Sequence, residues 1–137
     1  MHNQPKVFLS GGFKSDWQSQ VINQLGDSFV FFNPREHNLD DPANYTTWDI
    51  HFVKDCDILF AHMESTNPSG YGLAFELGLA YALNKTIILV DERSNVDPVF
   101  SNYFKILHNA ASSMFNNLDA GIAYLKKFST QNKSKTL

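Results

Sequence analysis

One cysteine, Cys56, is all that the 137 residues contain, so an intrachain disulfide is excluded and the chain suits a reducing compartment. Flanked by Asp55 and Asp57, that thiol is a poor thiolate and reads as packing. Long apolar runs are missing too. Neither the opening MHNQPKVFLSGG nor any later stretch approaches a signal peptide or a membrane span, and the expectation is a soluble, cytoplasmic protein with no membrane partner. There is no excess of positive charge, the formal net charge being -3, so a polymeric nucleic acid is excluded as a partner while a small ligand is not. His2, His37, His51, His62 and His108 are scattered without metal-ligand spacing, and neither C-x-x-C nor H-E-x-x-H occurs. No metal is expected. G-x-S-x-G, G-x-G-x-x-G and a Walker lysine are equally absent, which argues against a serine hydrolase, a dinucleotide fold and a P-loop, and no cofactor is expected.

What is present is ample for a core: hydrophobic residues make up 43%, charged residues 18%, and there are twelve Phe. The length fits one domain, expected over residues 1–128, followed by a polar tail over 129–137. No internal repeat occurs. Short apolar runs predict strands at Lys6–Ser10, Ser28–Phe32, Asp57–Ala61 and Thr86–Val90, with a short edge strand at Ala110–Met114. Between them, helices are predicted at Asp16–Leu25, Thr46–Lys54, Pro98–Leu107 and Leu118–Phe128, the first opened by a Ser15-x-x-Gln18 capping box. Arg35–Tyr45 reads as a polar ligand-binding loop, and its one arginine, Arg35, reads either as a phosphate contact or as a solvated surface charge. Strands that are continuous apolar runs, alternating with helices, require a parallel sheet covered on both faces. The prediction is therefore a doubly wound, flavodoxin-like α/β domain with five parallel strands in the order 2-1-3-4-5. Ligands in such a fold bind outside the carboxyl ends of strands one and three.

The stretch Ser65–Asn84, STNPSGYGLAFELGLAYALN, leaves strand three as a glycine-rich loop and continues as a helix with one charge, Glu76. Leu73, Glu76, Leu77 and Ala80 share a stripe at i, i+3, i+4 and i+7, so the carboxylate lies on a face that should be buried. An ionised carboxylate there is costly unless hydrogen-bonded or paired. Two readings stand at this point: a satisfied structural Glu, or a functional one that needs a second carboxylate and a pocket. Asp49 is the available partner, and it too has a structural reading, as an acid at N3 of a helix capped by Thr46. Ser65, Thr66 and Ser69 beside the glycine-rich helix start form a generic anion-friendly site. Breaking an N-glycosidic bond with retention calls for one carboxylate to trap the oxocarbenium-like carbon and an acid to help the base depart, roles that Glu76 and Asp49 can divide. Tyr71, Ser10 or Tyr45 can supply a hydroxyl that keeps a buried Glu76 ionised.

Three groups of residues carry a family resemblance: SGGFKSDWQ after strand one, Asp49 eight residues before Asp57, and G-x-x-x-E-L-G-x-A at Gly72–Ala80. From Val7 to about Leu125 the chain resembles the nucleoside 2-deoxyribosyltransferases and the related deoxynucleoside monophosphate N-glycosidases. The resemblance implies Glu76 as nucleophile toward the anomeric carbon and Asp49 as the residue serving the leaving base. It also implies a substrate site built from Ser10, Gly11, Gly12, Phe13, Asn38, Ser69, Gly70 and Gly72, with Phe13 as aromatic wall and Asn38 near the base. Asn109 would reach the sugar in a neighbouring subunit, so a homo-oligomer, at least a dimer, is expected. Phe8 stands where transferases of this family carry a tyrosine, and Gly70 where they carry an aspartate. Ser69 resembles the phosphate-contacting serine of the monophosphate N-glycosidases, one residue out of register. The expected activity is cleavage, with or without transfer, of the N-glycosidic bond of a 2′-deoxynucleoside through a glycosyl-Glu76 intermediate. Two alternatives are a 2′-deoxynucleoside 5′-monophosphate N-glycosidase and a non-catalytic nucleotide-binding module of the same fold. A structural or partner-binding α/β domain would leave the carboxylate in the apolar helix unexplained.

Overall fold

A computed structural model describes residues 4–129; the expected tail beyond Ser129 lies outside the described residues. Five strands, β1 (Lys6–Gly11), β2 (Val30–Phe32), β3 (Ile58–Met63), β4 (Thr86–Asp91) and β5 (Ser113–Phe115), form one sheet ordered β2-β1-β3-β4-β5. Every pairing is parallel, as the unbroken apolar runs require. The helices are α1 (Trp17–Leu25), α2 (Pro42–Asp55), α3 (Tyr71–Ala82), α4 (Pro98–Tyr103), α5 (Lys105–Ala110) and α6 (Leu118–Lys126). Among the described residues no helix is long and apolar enough to cross a membrane.

Alternation along each strand divides the core in two. Phe8, Leu59, Ala61, Ile87 and Leu89 point to one face, packed against Val53 of α2, Leu73 and Leu77 of α3, and Phe100 and Leu107 of α4 and α5. Val7, Leu9, Phe60, Ile88 and Val90 point to the other, against Trp17 and Val21 of α1 and Leu118 and Ile122 of α6. Period two puts Ser10 on the same face as Phe8, one pleat nearer the carboxyl end of β1. Ser10 therefore faces α2 and α3.

Two helix starts differ from the sequence reading. α2 begins at Pro42 with Asp41 as its cap, whose side chain accepts from Asn44 N at 3.2 Å. Thr46 is an interior residue. Asp-Pro at N-cap and N1 is a stronger start signal than a threonine further along, so the helix opens one turn earlier and shortens the loop. Asp49 then lies well past the first turn, where the macrodipole has faded, and its reading as an N3 acid is withdrawn. The Ser15–Gln18 capping box does not form either. Asp16 is the N-cap of α1 and makes no side-chain cap bond, because both residues of the expected box are engaged elsewhere. Ser15 Oγ donates to Glu64 Oε2 at 2.6 Å, and Gln18 Nε2 donates to Gly12 O at 3.2 Å.

Candidate active site

Glu76 rides on the buried stripe of α3, 8% exposed, over the carboxyl end of the sheet. Its Oε1 accepts from Ser10 Oγ at 2.6 Å, and the Asp49 carboxyl of α2 lies near enough to act on its protonation. Of the three candidate hydroxyls, Ser10 makes the contact, while Tyr71 and Tyr45 are exposed. Burial, reinforced by Asp49, pushes Glu76 up to about 8, although the Ser10 hydroxyl pulls the other way. Asp49 is also raised, chiefly by burial, against Glu76 and the nearby His37. Glu76 is thus the carboxyl that holds its proton through neutral pH.

His37 was not singled out by sequence reasoning, since a lone histidine in a polar loop carries no spacing signal. Its Nδ1 accepts from Leu39 N at 2.9 Å, which assigns the proton to Nε2, 3.9 Å from Asp49 Oδ1. That oxygen is buried and makes no hydrogen bond. The imidazole packs edge-on against Trp48 with centroids 4.9 Å apart, and Trp48 leans on Phe8 at 6.2 Å. Phe8 is fully buried and serves as apolar floor beneath Ser10.

The glycine positions line a small cavity next to this centre. Gly11, Gly12, Ser69, Gly70 and Gly72, with Asn67, enclose about 120 Å³ at the start of α3. Side chains have no room at the strand end: a Cβ on Gly11, whose φ is +154°, would lie 2.5 Å from His62 O, and one on Gly12 would overlap the Asn67 amide. Asn67 Oδ1 accepts from both Ser69 N at 3.1 Å and Ser69 Oγ at 2.8 Å. Glu64, also missed, is 4% exposed and accepts from Lys14 N at 3.3 Å as well as from Ser15. It holds the β1–α1 loop. Phe13 stands on that loop, 54% exposed.

Two expected site residues are not brought to the carboxylate pair. Asn38 is exposed in a left-handed backbone, φ 55°, and its amide donates to Glu36 O at 3.4 Å. Asn109 is exposed on α5, with its amide on Lys105 O at 3.0 Å, one turn back in its own helix.

The family described as nucleoside 2-deoxyribosyltransferase like matches residues 4–94, a span that takes in Ser10, Asp49 and Glu76. The chain belongs to that family. No curated protein matches the sequence, but solved structures do. A 2-desoxiribosyltransferase from Leishmania mexicana is similar at 20% identity and a TM-score of 0.71, over 90% of this chain and 97% of that one. A CMP N-glycosidase from Clostridium botulinum, BcmB, is similar at 22% identity and a TM-score of 0.58, over 88% and 98%. A conserved protein from Enterococcus faecalis V583 shares 17% identity at a TM-score of 0.56, over 92% and 88%. At such identities these likenesses establish the fold.

Proposed function

We propose that this family member cleaves the N-glycosidic bond of a 2′-deoxynucleoside, with Glu76 as nucleophile and Asp49 as general acid. The observation that carries the reading is the buried Glu76 carboxyl, held by Ser10 Oγ and placed beside a second carboxyl, Asp49. A nucleophile must be anionic and a leaving base must be protonated. At neutral pH the proton rests on Glu76; passing it to Asp49 gives the one species that meets both requirements, with no net ionisation of the buried pair. Glu76 Oε attacks the anomeric carbon as the C–N bond breaks, Asp49 passes its proton to the departing base, and an ester joins sugar and Glu76. Water, deprotonated by Asp49, then hydrolyses the ester, or a second base takes the sugar and completes transfer. Ser10 supplies the hydroxyl that Phe8 lacks, orienting Glu76 and steadying its anionic form.

A deoxynucleoside panel incubated with and without a second free base tests the proposal by chromatography. Free base is expected in the first case and a new nucleoside in the second; hydrolysis is expected to accompany transfer, because the aspartate that transferases carry is replaced by Gly70. No base release from any member would sink it. A second reading, that the substrate carries a 5′-phosphate, draws on the start of α3. Its N-cap is Gly70, which makes no side-chain cap bond, so the first amides of the helix are open to an anion. The panel therefore includes the 5′-monophosphates.

An assembly is part of the proposal. Tyr71 and Phe75 on α3, Val99 and Tyr103 on α4 and Ile106 on α5 are large apolar residues exposed on one chain, more than scattered surface residues explain. A second copy would cover them and bring its Asn109 toward the sugar site. Sedimentation is expected to show at least a dimer at micromolar concentration, and Ile106→Glu to dissociate it; a monodisperse monomer would remove this part of the proposal.

A further inference from the structure

We infer that Arg35 is a positioning residue that holds the Gly12–Ser15 loop rigid as one wall of the base-binding slot. The inference rests on the function proposed above. Arg35 lies in the 3-10 turn Pro34–Glu36, with its own N–H held by Asn33 Oδ1 at 3.1 Å. It is not a free surface charge, one of the two roles open to it from sequence. Nη2 donates to Phe13 O at 3.0 Å and Ser15 O at 2.6 Å, and Nε donates to Gln18 Oε1 at 2.9 Å. Gln18 is fully buried and, with Trp17 Nε1 at 3.0 Å, holds Gly12 O. Asp16 Oδ1 sits 3.9 Å from Nε and adds attraction at the rim.

The carbonyls of Gly12, Phe13 and Ser15 are thereby held from the β2–α2 side, directly or through Gln18, while Glu64 takes Lys14 N and Ser15 Oγ from the β3–α3 side. A loop tied from two directions is a wall and not a lid. The guanidinium also covers one face of the Phe13 ring, 4.8 Å from its centroid, leaving the ring exposed elsewhere for a planar base. Two residues past Arg35, His37 faces Asp49. Arg35 thus ties the loop that carries the Phe13 ring to the segment that carries His37 opposite Asp49. Lysine cannot replace it, because an ammonium on a flexible stem has neither the planar fork for these acceptors nor a face to lay on the ring.

The test compares parent and Arg35→Lys by base-release kinetics and by amide hydrogen exchange. KM is expected to rise about tenfold with kcat changing by less than about threefold, the pattern for lost binding shared by ground and transition states. Exchange is expected to speed up over residues 12–15 and not in β1 or α3. Parent values of KM in the lysine variant would overturn the inference. So would faster loop exchange with KM unchanged, which leaves only a scaffold role, or faster exchange throughout the chain, which means general loosening. Should the parent release no base, the proposed reaction falls by itself. Calorimetric affinity for a deoxynucleoside and loop exchange then decide for Arg35, and no difference between the two proteins overturns its role.

Discussion

Glu76→Gln is expected to abolish base release and to make the protein more stable in alkaline buffer. Loss of the nucleophile should cost about four orders of magnitude or more in kcat, as for other covalent catalysts stripped of theirs. The stability gain follows from the raised carboxyl. Folding lifts Glu76 from an ordinary 4.5 to about 8, so between those values the folded chain holds more protons than the unfolded one. Stability then falls as pH rises through that window, and the full cost of the buried charge is present above about 8. Gln keeps the shape but has nothing to ionise. Urea melts at pH 5 should differ by less than about 1 kcal/mol, while at pH 9 the variant should gain on the order of a few kcal/mol, each unit of pKa being worth roughly 1.4. Equal stability at both pH values would show that Glu76 is not the group holding the proton. Base release at the parent rate would show that it is not the nucleophile.

Asp49→Asn should divide substrates by their leaving groups. With an ordinary base, removal of the acid is expected to slow cleavage about 10²- to 10⁴-fold, the usual worth of general acid catalysis. A base that is already cationic, such as an N7-methylated purine, needs no proton and should lose much less. The variant should also shift the pH profile, because Asp49 is among the causes that raise Glu76. In the parent, activity should fall as pH climbs past about 8 and the proton is lost; in the variant that alkaline limb should disappear. An equal slowing of both substrate types, with the limb retained, would mean that Asp49 shapes the site without donating to the base. His37 gives a structural reason to expect donation, since its Nε2 faces the Asp49 oxygen that makes no hydrogen bond.

The alternating apolar runs and helical stripes were enough for the fold, because a strand buried on both faces has to be apolar throughout and a crossover connection has one hand. Burial of Glu76 was legible for a similar reason: a single charge on the inward stripe of an apolar helix has nowhere else to go. Elsewhere local signals competed. Thr46 and Ser15 both look like caps, yet Asp41 wins for α2, and Ser15 and Gln18 are drawn away to Glu64, Gly12 and Arg35. Capping preference amounts to about 1 kcal/mol, and a buried carboxylate in need of donors outweighs it.

What the amino-acid sequence determined by itself is therefore the α/β class, the strand order, and the carboxylate on the inner face of α3, all of which follow from periodicity and short-range rules. Only the tertiary structure decided which groups meet that carboxylate. Ser10 donates to it from a strand 66 positions away in sequence, Asp49 approaches it from the middle of a helix longer than expected, and His37 comes to 3.9 Å from Asp49 from a loop without a motif. Arg35 and Glu64 fasten the β1–α1 loop from opposite sides. Each of these contacts depends on the packing of separate elements over the carboxyl edge of one sheet, and no periodicity within a segment encodes the distance between two segments.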